Sequence, residues 1–159
     1  MYRYTAAAFA FALLAAPSHG ASTSGSASVK VLQAVTVAKG ADLDFGKVIP
    51  GTAAATVRIA EDGTRTCGTG LTCIGTPTAA LFNITGTTGE TVGVTIAVAR
   101  INLTSGSAPA MTVDLATTTP SVVMVAGKGS FKVSGLLTVG ANQAAGAYTG
   151  TFTVNVDYQ

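Results

Sequence analysis

The sequence contains no tryptophan, and its single histidine, His19, lies close to the amino terminus. Charged residues make up only 10% of the chain, and the formal net charge is +2. The sequence therefore has no basic stripe that would bind nucleic acid and no polybasic segment that would bind a lipid surface. A histidine-based catalytic triad or an imidazole metal site would have to rely on His19 alone.

The amino-terminal residues 1–20 have the pattern of a secretory signal peptide. Arg3 supplies a positive charge, the apolar run Ala6–Ala16 follows it, and small residues lead to a cleavage position after Gly20 or after Ala21. The run is too short for a membrane anchor, which needs about 20 apolar residues, and no later segment resembles a membrane span. We therefore expect an exported protein that has lost its histidine and is not stably inserted in a membrane.

The chain has two cysteines, Cys67 and Cys73. An even number of cysteines in an exported chain favours a disulfide, and their spacing does not match a Cys-x-x-Cys redox pair. A zinc site would need further cysteine or histidine ligands. We expect a disulfide that holds the tip of a hairpin and, because its loop is short, contributes at most about 2 kcal/mol to stability.

Short runs rich in valine, isoleucine and threonine alternate apolar and polar residues after residue 28, whereas helical periodicity is absent. Glu61–Gly63 and Gly127–Ser130 read as turns between such runs. This pattern predicts one antiparallel β-sandwich domain over residues 29–159, preceded by a flexible leader over residues 21–28. The predicted strands are Ser28–Ala38, Leu43–Phe45, Ala55–Ile59, Ala79–Thr85, Thr91–Ala99, Pro109–Ala116, Ser121–Val125, Ser130–Val139 and Ala147–Tyr158.

Residues that could carry chemistry are scarce. Asp42 and Asp44 are alternate residues that could form an acid pair or part of a calcium site, although such a pair is more often a solvated strand face. Gly127-Lys128-Gly129 lacks the earlier glycine and the following helix of a phosphate-binding loop. The sequence predicts no catalytic residue, no cofactor and no metal site, and so a protein that is not an enzyme.

Three segments resemble the DUF4402 family of exported bacterial proteins, and together they reach across most of the mature chain. They are ADLDFGKVIPG at Ala41–Gly51, DGTR at Asp62–Arg65, and GANQAAGAYTGTFTV at Gly140–Val154. The function of that family is not established, so the resemblance implies a β fold and export rather than an activity.

Both ends of the mature chain are also similar to pilins. Ser28–Val37 followed by Leu43–Gly46 looks like the start of archaic chaperone–usher pilins and spore-coat-U-type proteins, and Gly150–Gln159 looks like a pilin carboxyl terminus. The resemblance implies an immunoglobulin-like, pilin-like sandwich that lacks its final strand. In pilins the amino-terminal strand of the next subunit fills the vacant groove.

The resemblance, together with the alternating residues at the two ends, implies a structural subunit of a bacterial surface fibre. Its partners would be further copies of the chain, a periplasmic chaperone and an outer-membrane usher, and its location the cell surface or an extracellular fibre. We call Tyr148, Phe152, Val154, Val156 and Tyr158 the predicted acceptor edge, because this strand reaches Gln159 without a closing partner. The residues predicted to enter a neighbour's groove as a donor strand are Ala27, Val29, Val31 and Val35.

Two alternatives remain open at this stage. Ser28–Ala38 could be the first strand of its own domain rather than a donated strand. The protein would then be a self-complete secreted module for surface attachment or glycan binding. Sugar-binding grooves use exposed tryptophan or tyrosine, and this chain has no tryptophan and four tyrosines, two of them in the predicted signal peptide.

Overall fold

The computed structural model describes residues 19–159, so nearly all of the predicted signal peptide lies outside the described residues. The chain divides into two compact units, Met1–Lys30 and Val31–Gln159. The described part of the first unit, residues 19–30, has no regular secondary structure, and its side chains are exposed. No helix within residues 19–159 is long and apolar enough to cross a membrane.

The second unit is built from β-strands, and every strand pairing is antiparallel. The predicted all-β, antiparallel fold is therefore confirmed, and its sheets are consistent with a β-sandwich. The strands are β1 (Thr36–Ala41), β2 (Lys47–Ile49), β3 (Ala55–Ile59), β4 (Arg65–Cys67), β5 (Thr72–Ile74), β6 (Ala80–Thr85), β7 (Thr91–Ile96), β8 (Arg100–Leu103), β9 (Met111–Ala116), β10 (Ser121–Val123), β11 (Lys128–Val139) and β12 (Val154–Tyr158).

The 12-residue strand β11 organises a seven-stranded sheet. Its first half pairs with β6, which in turn pairs with β1, and its second half pairs with both β3 and β9. Strand β4 extends the sheet beyond β3, and β8 extends it beyond β9. A three-stranded sheet has the order β10-β7-β12, and β2 and β5 form a separate pair.

Alternation along β11 explains the position of the core. The inward residues Phe131, Val133, Gly135, Leu137 and Val139 are buried, whereas the residues that alternate with them are exposed or half-buried. The period of two places one face of the strand inside, and each fully buried valine contributes roughly 1.5 kcal/mol or more. Within residues 19–159 the buried side chains are all apolar, so hydrophobic burial defines this core.

Three predicted strands differ markedly from the structure, and one of them, Ala147–Tyr158, is a strand only from Val154 onward. The predicted strand Ser28–Ala38 was too long at its start, because β1 begins at Thr36, where pairing with Thr85 of β6 begins. Leu43–Phe45 is not a strand, since a single bridge joins Asp44 to Thr78. The carboxylate of Asp44 accepts a hydrogen bond from the backbone N–H of Gly46 at 2.8 Å and turns the chain there.

The Cys67–Cys73 disulfide is confirmed, but its predicted location at a hairpin tip was wrong. Cys67 lies on β4, which pairs with β3, whereas Cys73 lies on β5, which pairs with β2. The bond therefore ties the seven-stranded sheet to the β2–β5 pair. A disulfide of this kind is typical of proteins outside the cytoplasm.

The turn predicted at Glu61–Gly63 is present, whereas the turn predicted at Gly127–Ser130 lies at Ala126–Gly127, because Lys128–Ser130 belong to strand β11. Gly63 has a φ of +88°, and its N–H donates to the carbonyl of Ala60 at 2.9 Å. Ala126 and Gly127 have φ angles of +50° and +73°, and Val125 and Lys128 pair on either side of them. Two successive positive φ angles are typical of a tight hairpin turn, and glycine tolerates this conformation without a steric cost.

Candidate functional site

The described strands leave two sheet edges without a strand partner on the same side of the domain. β1 is an edge of the seven-stranded sheet, and β12 is an edge of the three-stranded sheet. On the other side β10 packs on β11, since a Cβ added at Gly129 of β11 would lie 2.6 Å from Val122 Cγ1 of β10. Because β10 lies opposite β11, the next strands in the two sheets, β7 and β6, also face each other. The strands after these, β12 and β1, therefore lie opposite each other.

Contacts at two points show that β1 and β12 run antiparallel to each other. Near the start of β1, the Tyr158 hydroxyl donates to the carbonyl of Gln33 at 2.8 Å. Further along, the ring of Phe152 lies edge-on to that of Phe82, with centroids 5.9 Å apart, and Phe82 is paired with Lys39 of β1. We call the space between these two edges the cleft, with residues 33–51 and 142–158 as its walls.

The backbone of β12 presents hydrogen-bonding groups to the cleft. The carbonyl of Thr153 accepts from Ala97 N–H at 2.9 Å, and Gln159 N–H donates to the carbonyl of Thr91 at 3.0 Å. Because alternate residues of an antiparallel strand bond to the same neighbour, the odd-numbered residues of β12 bond to β7. The N–H and C=O groups of Val154, Val156 and Tyr158 therefore point toward the open edge.

Beyond Phe152 the cleft widens into an apolar groove of about 780 Å³. The walls of the groove are residues 42–50 and 143–150. At the far end the N–H of Asn142 donates to the carbonyl of Gly51 at 2.8 Å and joins the two walls. The floor consists of side chains from β8, β9 and β11, namely Ile101, Leu103, Met111, Val113, Leu137 and Val139.

The wall formed by residues 42–50 is held in place by Arg65 and the disulfide. Arg65 Nη1 donates to the carbonyl of Phe45 at 3.0 Å and to the carbonyl of Ile74 at 3.2 Å. Ile74 belongs to β5, which pairs with β2 of this wall and carries Cys73. The Arg65 hydrogen bonds and the disulfide both join this wall to β4, which belongs to the seven-stranded sheet. This side of the groove is therefore formed without a ligand.

The opposite wall, residues 143–150, is fixed by Tyr148 and Gln143. The Tyr148 hydroxyl donates to the carbonyl of Ala144 at 2.8 Å and accepts from Gln143 Nε2 at 2.9 Å. The same amide nitrogen donates to the carbonyl of Pro109 at 2.6 Å. Two amino-acid side chains thus fold this segment into a fixed turn, and the groove is a preformed feature of the domain.

Three residues close the other end of the cleft. Gln33 N–H donates to Thr87 Oγ1 at 2.8 Å, and Thr87 N–H donates to the Tyr158 hydroxyl at 2.7 Å. With the bond from Tyr158 to Gln33, these contacts form a closed triangle, which we call the latch. Sequence reasoning identified Tyr158 as an edge residue but missed Gln33 and Thr87, because no local pattern brings residues 33 and 87 together.

The predicted donor residues differ in their surroundings. Val29 is 88% exposed and Val31 is 86% exposed, and Ala27 is also exposed. Val35 is half-buried and packs against the core of its own domain. The use of these residues as a donor strand stays a prediction.

The predicted acceptor-edge residues all lie along one wall of the cleft. Val154 is buried at 9% exposure, and Phe152, Val156 and Tyr158 are half-buried against the core. Tyr148 lies in the groove wall. Their side chains face inward at alternate positions, as the sequence pattern predicted. Their role as an acceptor stays a prediction.

Asp42 and Asp44 have separate partners. Lys39 Nζ lies 2.7 Å from a carboxylate oxygen of Asp42, and Asp44 accepts the bond from Gly46. Within residues 19–159 no group of three or more histidine, cysteine, aspartate or glutamate residues could hold a metal ion. Asp42, Asp44 and Lys47 border the groove at its 42–50 wall, and the floor of the groove is apolar.

Residues 35–158 match the family model described as "Domain of unknown function (DUF4402)". The matched range includes both walls of the cleft from Val35 onward and the whole of β12. A comparison with curated proteins found no significant match.

Proposed function

We propose that this chain, which belongs to the DUF4402 family, is a structural subunit of a bacterial surface fibre assembled by donor-strand exchange. In this proposal the segment Ala21–Leu32 of one copy, the donor segment, fills the cleft of the next copy and completes an immunoglobulin-like sandwich. The observation that carries the proposal is the open edge of β12, whose outward backbone groups face a preformed apolar cleft. An added strand satisfies such an edge by β-augmentation.

The donor segment has the alternation that this binding mode requires. Its even-numbered positions are mainly serine, which can face solvent. In an extended strand the odd-numbered side chains share one face and would enter the cleft. That face comprises Ala21, Thr23, Gly25, Ala27, Val29 and Val31.

The geometry of the cleft favours one direction for the donor. Gln33 is held at the Tyr158 end, so each chain leaves its own domain there. If the donating domain sits at the other end, beside Gly51 and Asn142, the copies form an open head-to-tail chain, which is how heterologous contacts build filaments. The donor then runs antiparallel to β12 and brings Val29 and Val31 to the apolar groove.

Export and assembly factors follow from the same feature. The signal-peptide pattern of residues 1–20 and the disulfide support export to an oxidising compartment. Before a donor arrives, an open apolar edge is prone to aggregation. A periplasmic chaperone that covers the cleft and an outer-membrane usher that exchanges it for the donor are therefore the partners we propose.

The self-complete attachment module receives less support. Tyr148 and Tyr158 are half-buried, and their hydroxyls are engaged in the groove wall and in the latch. They do not present a flat aromatic surface on which a sugar could stack. The groove has an apolar floor, and the open edge of β12 offers backbone hydrogen-bonding groups, which suits a peptide strand.

The proposal is tested by deleting Ala21–Leu32 from the exported protein and measuring polymers that resist SDS without boiling. We expect the polymers to disappear while the domain stays folded. Val31→Asp should have the same effect, since it places a charge on the inward face, whereas Ser28→Asp on the outward face should leave polymers intact. If the deletion variant polymerises like the full chain, donor-strand exchange is wrong.

A further inference from the structure

We infer that the latch of Gln33, Thr87 and Tyr158 keeps the donor segment out of its own cleft and so favours exchange between copies over self-insertion. This inference rests on the proposed function. The latch lies at the root of the donor segment, and one of its members belongs to β12, the strand that would accept a donor. The same three residues can therefore determine whether a donor segment binds in its own cleft or in the cleft of another copy.

Self-insertion would require a sharp reversal of the chain at the latch. Gln33 lies at one end of the cleft, so its own donor segment could enter only by folding back beside β12, in parallel with it. Such a reversal needs a turn of at least about two residues with its own backbone angles. The residues available for it are Gln33, Ala34 and Val35, and Val35 already packs against the core.

The latch occupies both backbone groups of the residue that would have to turn. Gln33 N–H is bonded to Thr87 Oγ1, and its C=O accepts from the Tyr158 hydroxyl. Folding back would break both bonds, and the loss of each would disfavour self-insertion. A donor arriving from another copy leaves both bonds intact, so the latch raises the cost of self-insertion alone.

Gly86 makes room for the latch. A Cβ added at Gly86 would lie 2.5 Å from the Tyr158 hydroxyl oxygen, closer than two such atoms can approach. The Thr87 N–H that follows donates to this same oxygen. The β6–β7 connection is thus shaped around the tyrosine hydroxyl, which indicates that the contact belongs to the fold.

The experiment measures the accessibility of the donor segment in dilute monomer. Trypsin cleaves after Lys30, which is exposed in this structure, and mass spectrometry gives the cleavage rate. We expect Tyr158→Phe and Thr87→Val, which each remove latch hydrogen bonds, to slow cleavage about tenfold through self-insertion. Polymerisation of these variants should slow correspondingly. Gln33→Ala is the matched control, because the latch uses only the backbone of residue 33.

The outcomes separate the latch from the proposed function. If Tyr158→Phe and Thr87→Val, both folded by circular dichroism, are cleaved and polymerise like the wild type, the latch inference is overturned. If Gln33→Ala behaves like the two latch variants, the inference is also overturned, because a side-chain effect then explains the result. A wild type that never polymerises contradicts the fibre proposal instead, and the cleavage rates still report on the latch.

Discussion

Two segments of this chain carry the same alternating pattern but differ in structure. In residues 27–31 the apolar Ala27, Val29 and Val31 alternate with polar residues, and none of them belongs to a strand. Phe152–Tyr158 repeats the alternation, and from Val154 onward it is β12, paired with β7 and packed on the core. The difference teaches that alternation gives a segment the capacity to be a strand, whereas a neighbouring strand determines whether it becomes one.

The neighbour also decides how much free energy the pattern contributes. Val154 is stabilised by burial and by its cross-strand pairing with Ile96, whereas Val29 is 88% exposed and has neither source of stabilisation. Burying a valine is worth roughly 1.5 kcal/mol or more, so the exposed row contributes no such stabilisation to the monomer. The comparison therefore predicts which substitutions act on the monomer and which act on the assembly.

The largest expected difference is between Val154→Asp and Val29→Asp in the monomer. Val154→Asp buries an unpaired charge and should reduce the free energy of unfolding by about 3 kcal/mol or more. Val29→Asp alters an exposed side chain and should change it by no more than about 0.5 kcal/mol. Urea denaturation of the monomeric fractions measures both values, and equal losses would show that the two segments are in similar environments after all.

Much of the fold could be predicted because its strands follow local alternation. Ala55–Ile59 was predicted with the observed bounds, and β9 and β11 lie close to theirs. The short strands β2, β4, β5 and β8 were missed, since their pairing depends on partners distant in sequence. The disulfide was predicted from the even number of cysteines in an exported chain and from their spacing, but which sheets it joins depends on the same distant pairings.

The cleft was only partly predictable. Alternation identified the inward residues of β12, and the same reasoning extended the first strand back to Ser28, although residues 28–35 belong to no strand. The groove walls depend on hydrogen bonds such as Arg65 to Phe45, which have no sequence signature. Residues 147–153 were predicted as strand, but they form a bridge from Thr149 to Thr104 and a bond from Ala97 N–H to the Thr153 carbonyl, and the strand itself begins at Val154.

A smaller effect is expected from proline substitutions that distinguish the two edges of β12, one facing the cleft and the other paired with β7. Val156→Pro removes an N–H that points toward the cleft, so the monomer should stay folded while SDS-resistant polymers fall about fivefold to tenfold. Asn155→Pro removes an N–H that bonds to β7 and should lower the free energy of unfolding by about 1–3 kcal/mol. Val156→Ala controls for the smaller side chain. If Val156→Pro unfolds the monomer as much as Asn155→Pro does, the assignment of the open edge is incorrect.

The smallest expected effect lies outside both segments, on the β8–β9 pair. Arg100 hydrogen-bonds the carboxylate of Asp114 and lowers the pKa of that carboxyl below its ordinary value of 3.8. Because the folded-state pKa is the lower one, the stabilisation is fully present above about pH 4 and disappears as the pH falls through the folded-state value. Asp114→Asn should therefore reduce the loss of unfolding free energy at acidic pH, that is, flatten its pH dependence there. Salt should weaken the effect in the wild type, because the ion pair is exposed.

Urea midpoints at about pH 5 and about pH 3 measure this change. Asp62, whose pKa is lowered by hydrogen bonds from Thr64, remains in the variant and keeps a residual acid dependence. The donor segment is remote in sequence from this ion pair, and neither partner lines the cleft. Deleting Ala21–Leu32 should therefore leave the flattening by Asp114→Asn unchanged. If the effect of Asp114→Asn on this pH dependence differs with and without the donor segment, the β8–β9 pair responds to strand donation. The open cleft would then not be independent of the rest of the domain.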